Sequence, residues 1–235
     1  MSDNDNSRYV PALRFRWLTP TFDVVVRTTT RERAFKTALI QQARLETGRR
    51  VLDVGCGTGT LALWVTQRYP HVQVAGVDGD PAILSIASRK ARDSGVQIRF
   101  DHGFSYRLPY ADAEFDRILS SLFFHHLSWQ DKERTAGEMF RVMRPGGELH
   151  VADWGRPTGP FMRIGFLTVQ LLDGFSNTQD NLKGRLVELF QAAGFAEVAQ
   201  TRTFSTMSGT LALYRAIKPR SAPNEAESIS RLQYF

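Results

Sequence analysis

The chain has 235 residues, enough for one domain with a substantial core. Hydrophobic residues make up 42% and charged residues 23%, an ordinary globular composition that argues against a disordered or fibrous chain. The net charge is +6, and residues 1–50 carry most of it, with ten lysines and arginines against five acids.

Such a basic segment can attract an anionic lipid or nucleic-acid surface, or it can be a solvated face. The opening residues, MSDNDNS, are polar and acidic with no apolar run behind them, so no signal peptide is expected. The apolar stretch FMRIGFLTVQLL (161–172) is too short to span a bilayer and contains Arg163. A soluble cytosolic protein is the expectation. Cys56 is the only cysteine, which rules out an internal disulfide and a cysteine-rich zinc site. No metal is expected.

In chain order, residues 1–8 read as disordered and 12–27 as helix interrupted at Pro20. RERAFKTALIQQARLE (31–46) has helical spacing and stops before Gly48. Then the rhythm changes. RVLDVG (50–55) is a short apolar strand, and TLALWVTQRYP (60–70) a helix with Pro70 past its end. VQVAGVDGD (72–80) is a second strand, and Pro81 opens the next helix. Strands follow at 96–103 and 115–124. SWQDKERTAGEMFRVM (128–143) is a helix whose Ser128 and Asp131 resemble a capping box. RPGG (144–147) reads as a turn, 148–155 as a fifth strand and 180–194 as a helix. Two more strands fall near 195–204 and 208–217, and the tail from Pro219 is polar.

Strands alternating with helices predict an α/β fold, a mostly parallel sheet with helices on both faces. Every parallel strand then ends at one edge, where ligands bind near the reversal of strand order. The first strand ends in VLDVGCGTG (51–59), with glycines at 55, 57 and 59. No Lys follows Gly59, so a P-loop is excluded. A dinucleotide fingerprint requires a third glycine at 60, which is Thr. Asp53 lies two residues before the first glycine, where a carboxylate repels a pyrophosphate but suits an ammonium group. Asp78 ends the second strand and can accept hydrogen bonds from ribose hydroxyls. These acids fit a ligand with a ribose, no phosphate and a positive end. S-adenosylmethionine (SAM) has that chemistry.

VLDVGCGTG, GVD (76–78), LPYADAEFDRI (108–118), SSLFFHHL (120–127) and RVMRPGGELHVAD (141–153), in this order, resemble the class I SAM-dependent methyltransferases. Within them the chain is similar to the small-molecule branch that includes the ubiquinone and menaquinone C-methyltransferases. The resemblance covers residues 45–217. It implies a Rossmann-like seven-stranded sheet, mostly parallel, with the last strand antiparallel. It divides the chain into an N-terminal helical cap (1–46), a SAM-binding domain (47–218) with a substrate-facing insertion (156–179), and a flexible tail (219–235).

The resemblance also implies roles. Gly55, Cys56, Gly57 and Gly59 form the loop under the methionine part of SAM, with Asp53 fixing the loop and reaching the amino group. Asp78 and Gly79 meet the ribose. Gly103, Phe104 and Ser105 face the adenine, and Ser120 and Ser121 border the cofactor. Many relatives have G-D-A where this chain has Gly103, Phe104 and Ser105. Phe104 cannot accept a hydrogen bond but can pack on the adenine face. Cys56 alternatively reads as a small residue at a tight turn.

His125, His126 and Asp153 follow strand ends at the active edge and are the catalytic candidates, with Tyr106 behind them. Their structural alternatives are helix capping and loop bracing. The insertion is apolar, with Phe161, Met162, Phe166, Leu167 and Phe175, which suits an apolar acceptor of quinone, lipid or polyketide type or a helix packed on the core. The basic first segment would add peripheral contact with an anionic membrane. Alternatives are a non-catalytic SAM-sensing or partner-binding module, and an RNA methyltransferase. No N-P-P-Y motif or aromatic-interleaved basic stripe supports nucleic acid.

Overall fold

The computed structural model describes residues 31–46, 49–157 and 180–220. The expected helix at 12–27, most of the 156–179 insertion and most of the tail lie outside the described residues.

The described chain begins with α1 (Glu32–Gln42). It continues as β1 (Arg50–Val54), α2 (Thr60–Arg68), β2 (Gln73–Asp78), α3 (Pro81–Asp93) and β3 (Arg99–His102). Next come β4 (Phe115–Ser121), α4 (Trp129–Val142), β5 (Met143–Trp154), α5 (Leu186–Ala192), β6 (Ala196–Thr206) and β7 (Gly209–Ile217). The seven strands form one sheet in the order β3-β2-β1-β4-β5-β7-β6. Only β7 runs against the others, pairing antiparallel with both β5 and β6. Strand order reverses between β1 and β4, so a crevice opens beyond their carboxyl ends.

The period-two alternation of β1 divides the core. Leu52 and Val54 join a cluster with Met139 of α4 and Phe190 of α5. Val51, on the opposite face, joins Phe35 and Leu39 of α1 and Leu61 and Val65 of α2. Asp53 shares the Val51 face, on the side of α1 and α2. β1 and β4 are buried along nearly their whole length, as central parallel strands are, although β4 carries Asp116, Arg117 and Ser120 among its buried residues.

Local signals set the helix starts. Asp80 caps α3 by accepting from the Ala82 N–H at 2.8 Å, with Pro81 at the first position. Ser128 caps α4, accepting from the Asp131 N–H at 3.1 Å.

Three boundaries differ from expectation. The RPGG segment is not a free turn but part of β5. Residues Phe115 and Arg117 of β4 oppose Met143 and Glu148, so the extra residues form a bulge. Lys218 holds it, accepting from the Gly146 N–H at 2.8 Å and donating to the Gly147 carbonyl at 3.0 Å. The fourth strand stops at Ser121, because Leu122 turns to a φ of 54° and a 3-10 turn follows at Phe124–His126. The helix expected over 180–194 is present but interrupted: residues 180–182 are helical, 183–185 form a turn in which Gly184 takes a φ of 74°, and the helix resumes at Leu186.

Among the described residues no helix is long and apolar enough to cross a membrane.

Candidate active site

The β1–α2 loop is built on left-handed backbone. Gly55, Gly57 and Gly59 have φ values of 68°, 51° and 71°. A side chain at 55 would overlap the Phe123 ring, and one at 59 would meet the Phe100 ring and Ala87. Among the described residues, a side chain at 57 would meet nothing within 4 Å. Gly57 therefore borders open space, and Gly55 and Gly59 let rings and helices close beneath the loop.

Asp78 fixes this loop to β2. Its Oδ2 accepts from the Gly57 N–H at 2.9 Å and its Oδ1 from the Asp80 N–H at 3.0 Å. Burial raises its carboxyl above the ordinary value, opposed by those N–H groups. The sequence reading missed a third support. Lys90 of α3 donates to Thr60 Oγ1 at 2.8 Å and to Thr58 Oγ1 at 3.2 Å.

Asp53 is 1% exposed, and neither carboxylate oxygen has a hydrogen-bond partner among the described residues. Burial pushes its carboxyl up to about 7, against the Lys36 charge and the Ala62 N–H, which acts from beyond hydrogen-bonding geometry. Lys36 is itself paired with Glu32 at 2.6 Å. A buried carboxylate without donors is costly, and natural folds retain one where a ligand or switch needs it.

Cys56 lies buried in the tight turn of the loop. Its thiol is buried among Asp53, Asp78 and Asp101, and burial first, then those charges, hold it well above the usual range. It is an inert thiol.

Two of the expected contacts turn inward. Ser105 is buried and shares a 2.8 Å hydrogen bond with Thr135 of α4, so its hydroxyl braces the β3 loop. Ser120 is fully buried and donates to the Val54 carbonyl at 2.8 Å, stitching β4 to β1. Ser121 is half-buried at the strand end. Gly79 lends its carbonyl to His102 Nε2 at 3.2 Å. Gly103 donates its N–H to the Asp78 carbonyl at 3.1 Å, and a side chain there would meet Pro109 at 2.9 Å.

Asp153, at the end of β5, organises the β4 loop. Its Oδ2 accepts from the Phe123 and Phe124 N–H groups at 3.0 and 2.7 Å. Its Oδ1 accepts from the Trp154 N–H, His125 Nδ1 and Asn181 Nδ2 at 2.7, 2.8 and 3.1 Å. Burial alone would raise its carboxyl, but the His125 charge and these donors hold it below the ordinary value. Saturated in this way, Asp153 is a poor proton acceptor and a strong brace. His125 is buried, with its Nδ1 turned to Asp153. His126 is half-buried, its ring centroid 4.0 Å from that of His125. Burial first, then the His125 charge, hold His126 well below its ordinary value, so it is neutral at pH 7.

The sequence reading also missed Phe123 as the floor beneath Gly55. Its only signal is its place just past β4 at the sheet edge. Among the described residues no group of three or more His, Cys, Asp or Glu is arranged to hold a metal ion.

Residues 51–147 match the family profile described as a methyltransferase domain. A demethylmenaquinone methyltransferase of Deinococcus radiodurans is 29% identical over 210 residues, covering 81% of this chain and 86% of that protein. The ubiquinone/menaquinone biosynthesis C-methyltransferase UbiE of Pseudomonas fluorescens is 30% identical over 213 residues, covering 80% and 79%. A solved SAM-dependent methyltransferase from Methanosarcina mazei superposes with a TM-score of 0.64 at 20% identity, covering 77% of this chain and 98% of that one. With this likeness and the glycine loop between Asp53 and Asp78, the chain belongs to the class I SAM-dependent methyltransferases, similar within them to the quinone-biosynthesis enzymes.

Proposed function

We propose that this chain binds SAM on the β1–α2 loop and transfers its methyl group to a small, fairly apolar acceptor of quinone or secondary-metabolite type. The observation that carries the reading is Asp53, a buried carboxylate without a hydrogen-bond donor among the described residues, two residues before a loop of three left-handed glycines. A ligand ammonium supplies the missing partner, and the open space above Gly57 accommodates the ligand's amino-acid end. Asp78 retains carboxylate lone pairs for two ribose hydroxyls while holding the loop. The residues present therefore fit this cofactor. When bound, it supplies an electrophilic methyl on a sulfonium.

The protein's own part is alignment and proton removal. Positioning can supply about 7–11 kcal/mol of a barrier of this kind. Asp153 sets the β4 loop and the His125 ring. His126, neutral and only half-buried, is the base that takes the acceptor's proton, with His125 behind it. The acceptor class follows the names of the relatives and the apolar composition of residues 156–179. The basic first segment suits delivery of such an acceptor from an anionic membrane surface.

Calorimetric titration with SAM and with S-adenosylhomocysteine tests the cofactor. Failure of both to bind refutes it. Transfer of labelled methyl from SAM to a demethylated quinol tests the acceptor class.

A further inference from the structure

α4 carries a fully buried cation. Lys132 is 0% exposed, and its Nζ lies 4.0 Å from Asp180 Oδ2. Asp180 Oδ1 accepts from Arg185 Nη1 at 2.9 Å, and the Arg185 guanidinium lies 3.8 Å over the Trp129 ring at the start of α4. The next residue, Asn181, is buried and donates to Asp153 Oδ1 at 3.1 Å. The same oxygen receives His125 Nδ1 at 2.8 Å. Asp153 follows Val151 by two residues, so it faces the side of the sheet on which α4 packs. The segment before α5 thus ties the Lys132 end of α4 to the carboxylate behind the histidines.

Burial lowers the Lys132 ammonium below its ordinary value, while Asp153 first, then Asp180, favour its charge. Arg185, on the other oxygen of Asp180, opposes it. Among the described residues, the cations Lys132 and Arg185 therefore balance the anions Asp153 and Asp180. Tyr214 of β7 adds no charge, because burial, then the Asp153 charge, hold its hydroxyl well above the ordinary value. Glu133 and Glu188 are exposed and turn to Trp129 and Arg185 at 2.7 and 3.6 Å.

This balance bears on proton transfer. The Asp153 charge favours a proton on His126, against burial and the His125 charge. Without a counter-charge, Asp153 would favour a proton on the histidines at rest, and a base already protonated accepts no other. A cation buried beside Asp153 works against that, with little screening by water.

We propose that Lys132 is a positioning residue for methyl transfer: its buried ammonium offsets the Asp153 charge and so keeps His126 unprotonated and ready to take the acceptor's proton. The proposal rests on the reading of His126 as the base.

The test is a nuclear magnetic resonance titration of the full chain carrying isotope-labelled histidine, with His126→Gln identifying the His126 ring. Lys132→Met, close in volume but uncharged, should raise the His126 midpoint by about half a pH unit to one unit. Lys132→Gln should raise it equally, which keeps the test decisive if the methionine variant does not fold. Lys132→Arg keeps the charge and should leave the midpoint within about 0.2 unit of the parent. The acid limb of methyl transfer to a demethylated quinol should move with the midpoint. An unchanged midpoint in a folded uncharged variant overturns the proposal. An equal rise in Lys132→Arg also overturns it, because packing rather than charge would then be the cause. If the midpoint rises as expected but His126→Gln transfers methyl to the quinol as fast as the parent, the base reading falls, and the proposal with it.

Discussion

The Gly57 N–H donates to Asp78 Oδ2 at 2.9 Å, so one carboxylate both shapes the glycine loop and ends the strand beside it. The loop and the ribose site are thus a single unit. Asp78→Ala removes the brace and the ribose acceptor together. It is expected to weaken S-adenosylhomocysteine by at least about 100-fold, because hydrogen bonds to charged groups contribute about 1.5–3 kcal/mol each. Titration calorimetry checks this, and an unchanged dissociation constant refutes the ribose assignment.

Asp53 makes cofactor binding depend on pH. Its carboxyl is raised from 3.8 to about 7 by burial. Unfolded, it ionises above 3.8, whereas the ligand-free fold keeps it neutral up to about 7. Its contribution to stability is therefore full below 3.8 and lost as pH rises to about 7. A ligand ammonium favours the ionised form, so binding releases a proton and affinity should rise with pH through about 7. Asp53→Asn should flatten this dependence, weaken the cofactor and raise the melting temperature of the ligand-free chain at pH 7. Each kcal/mol relieved corresponds to about 2–4 °C. Calorimetry across pH measures both effects.

The three glycines should separate on substitution. Gly57→Ala places a methyl in open space at a φ of 51°, which costs about 1–2 kcal/mol of stability. Its larger effect should fall on cofactor affinity. Gly55→Ala carries the same backbone strain and also drives its methyl to 2.2 Å from Phe123. It should lose a further 1–3 kcal/mol or so. Thermal melts and cofactor titrations of the two variants should therefore rank them in opposite orders.

Asp153 and His126 should also separate. Asp153→Asn leaves donors without their charged acceptor in a buried network, and about 3–5 kcal/mol of stability should go with it. His126→Gln should lower kcat while leaving the cofactor dissociation constant near that of the parent. His126 is neutral in the fold, so its contribution to stability is present above its ordinary value of 6.5. It is lost as pH falls below 6.5, where the unfolded chain takes up a proton and the fold does not. The acid limb of the pH–rate profile should accordingly lie below pH 6.5.

Much of this architecture was legible because its determinants are local. Pro81 and Asp80 start α3, Ser128 starts α4, and the short apolar stretch of β1 marks a buried strand. The glycine spacing and the acids at 53 and 78 likewise lie within short stretches of sequence. The features that the sequence does not show depend on distant partners. The RPGG bulge is held by Lys218, Ser105 by Thr135 and Ser120 by Val54. The five donors on Asp153 come from the turn after β4, from β5 and from the residues before α5, which no spacing rule brings together. Gly184 was visible in the sequence, but only its left-handed φ shows that it breaks the helix.

The central claim is that one cofactor links Asp53, Gly57 and Asp78. A crystal structure of the full chain with S-adenosylhomocysteine tests it most directly. The account predicts the homocysteine amino group at the Asp53 carboxylate, directly or through one water, with both ribose hydroxyls on Asp78. Ligand density elsewhere, or an Asp53 still without a partner beneath bound ligand, would contradict it.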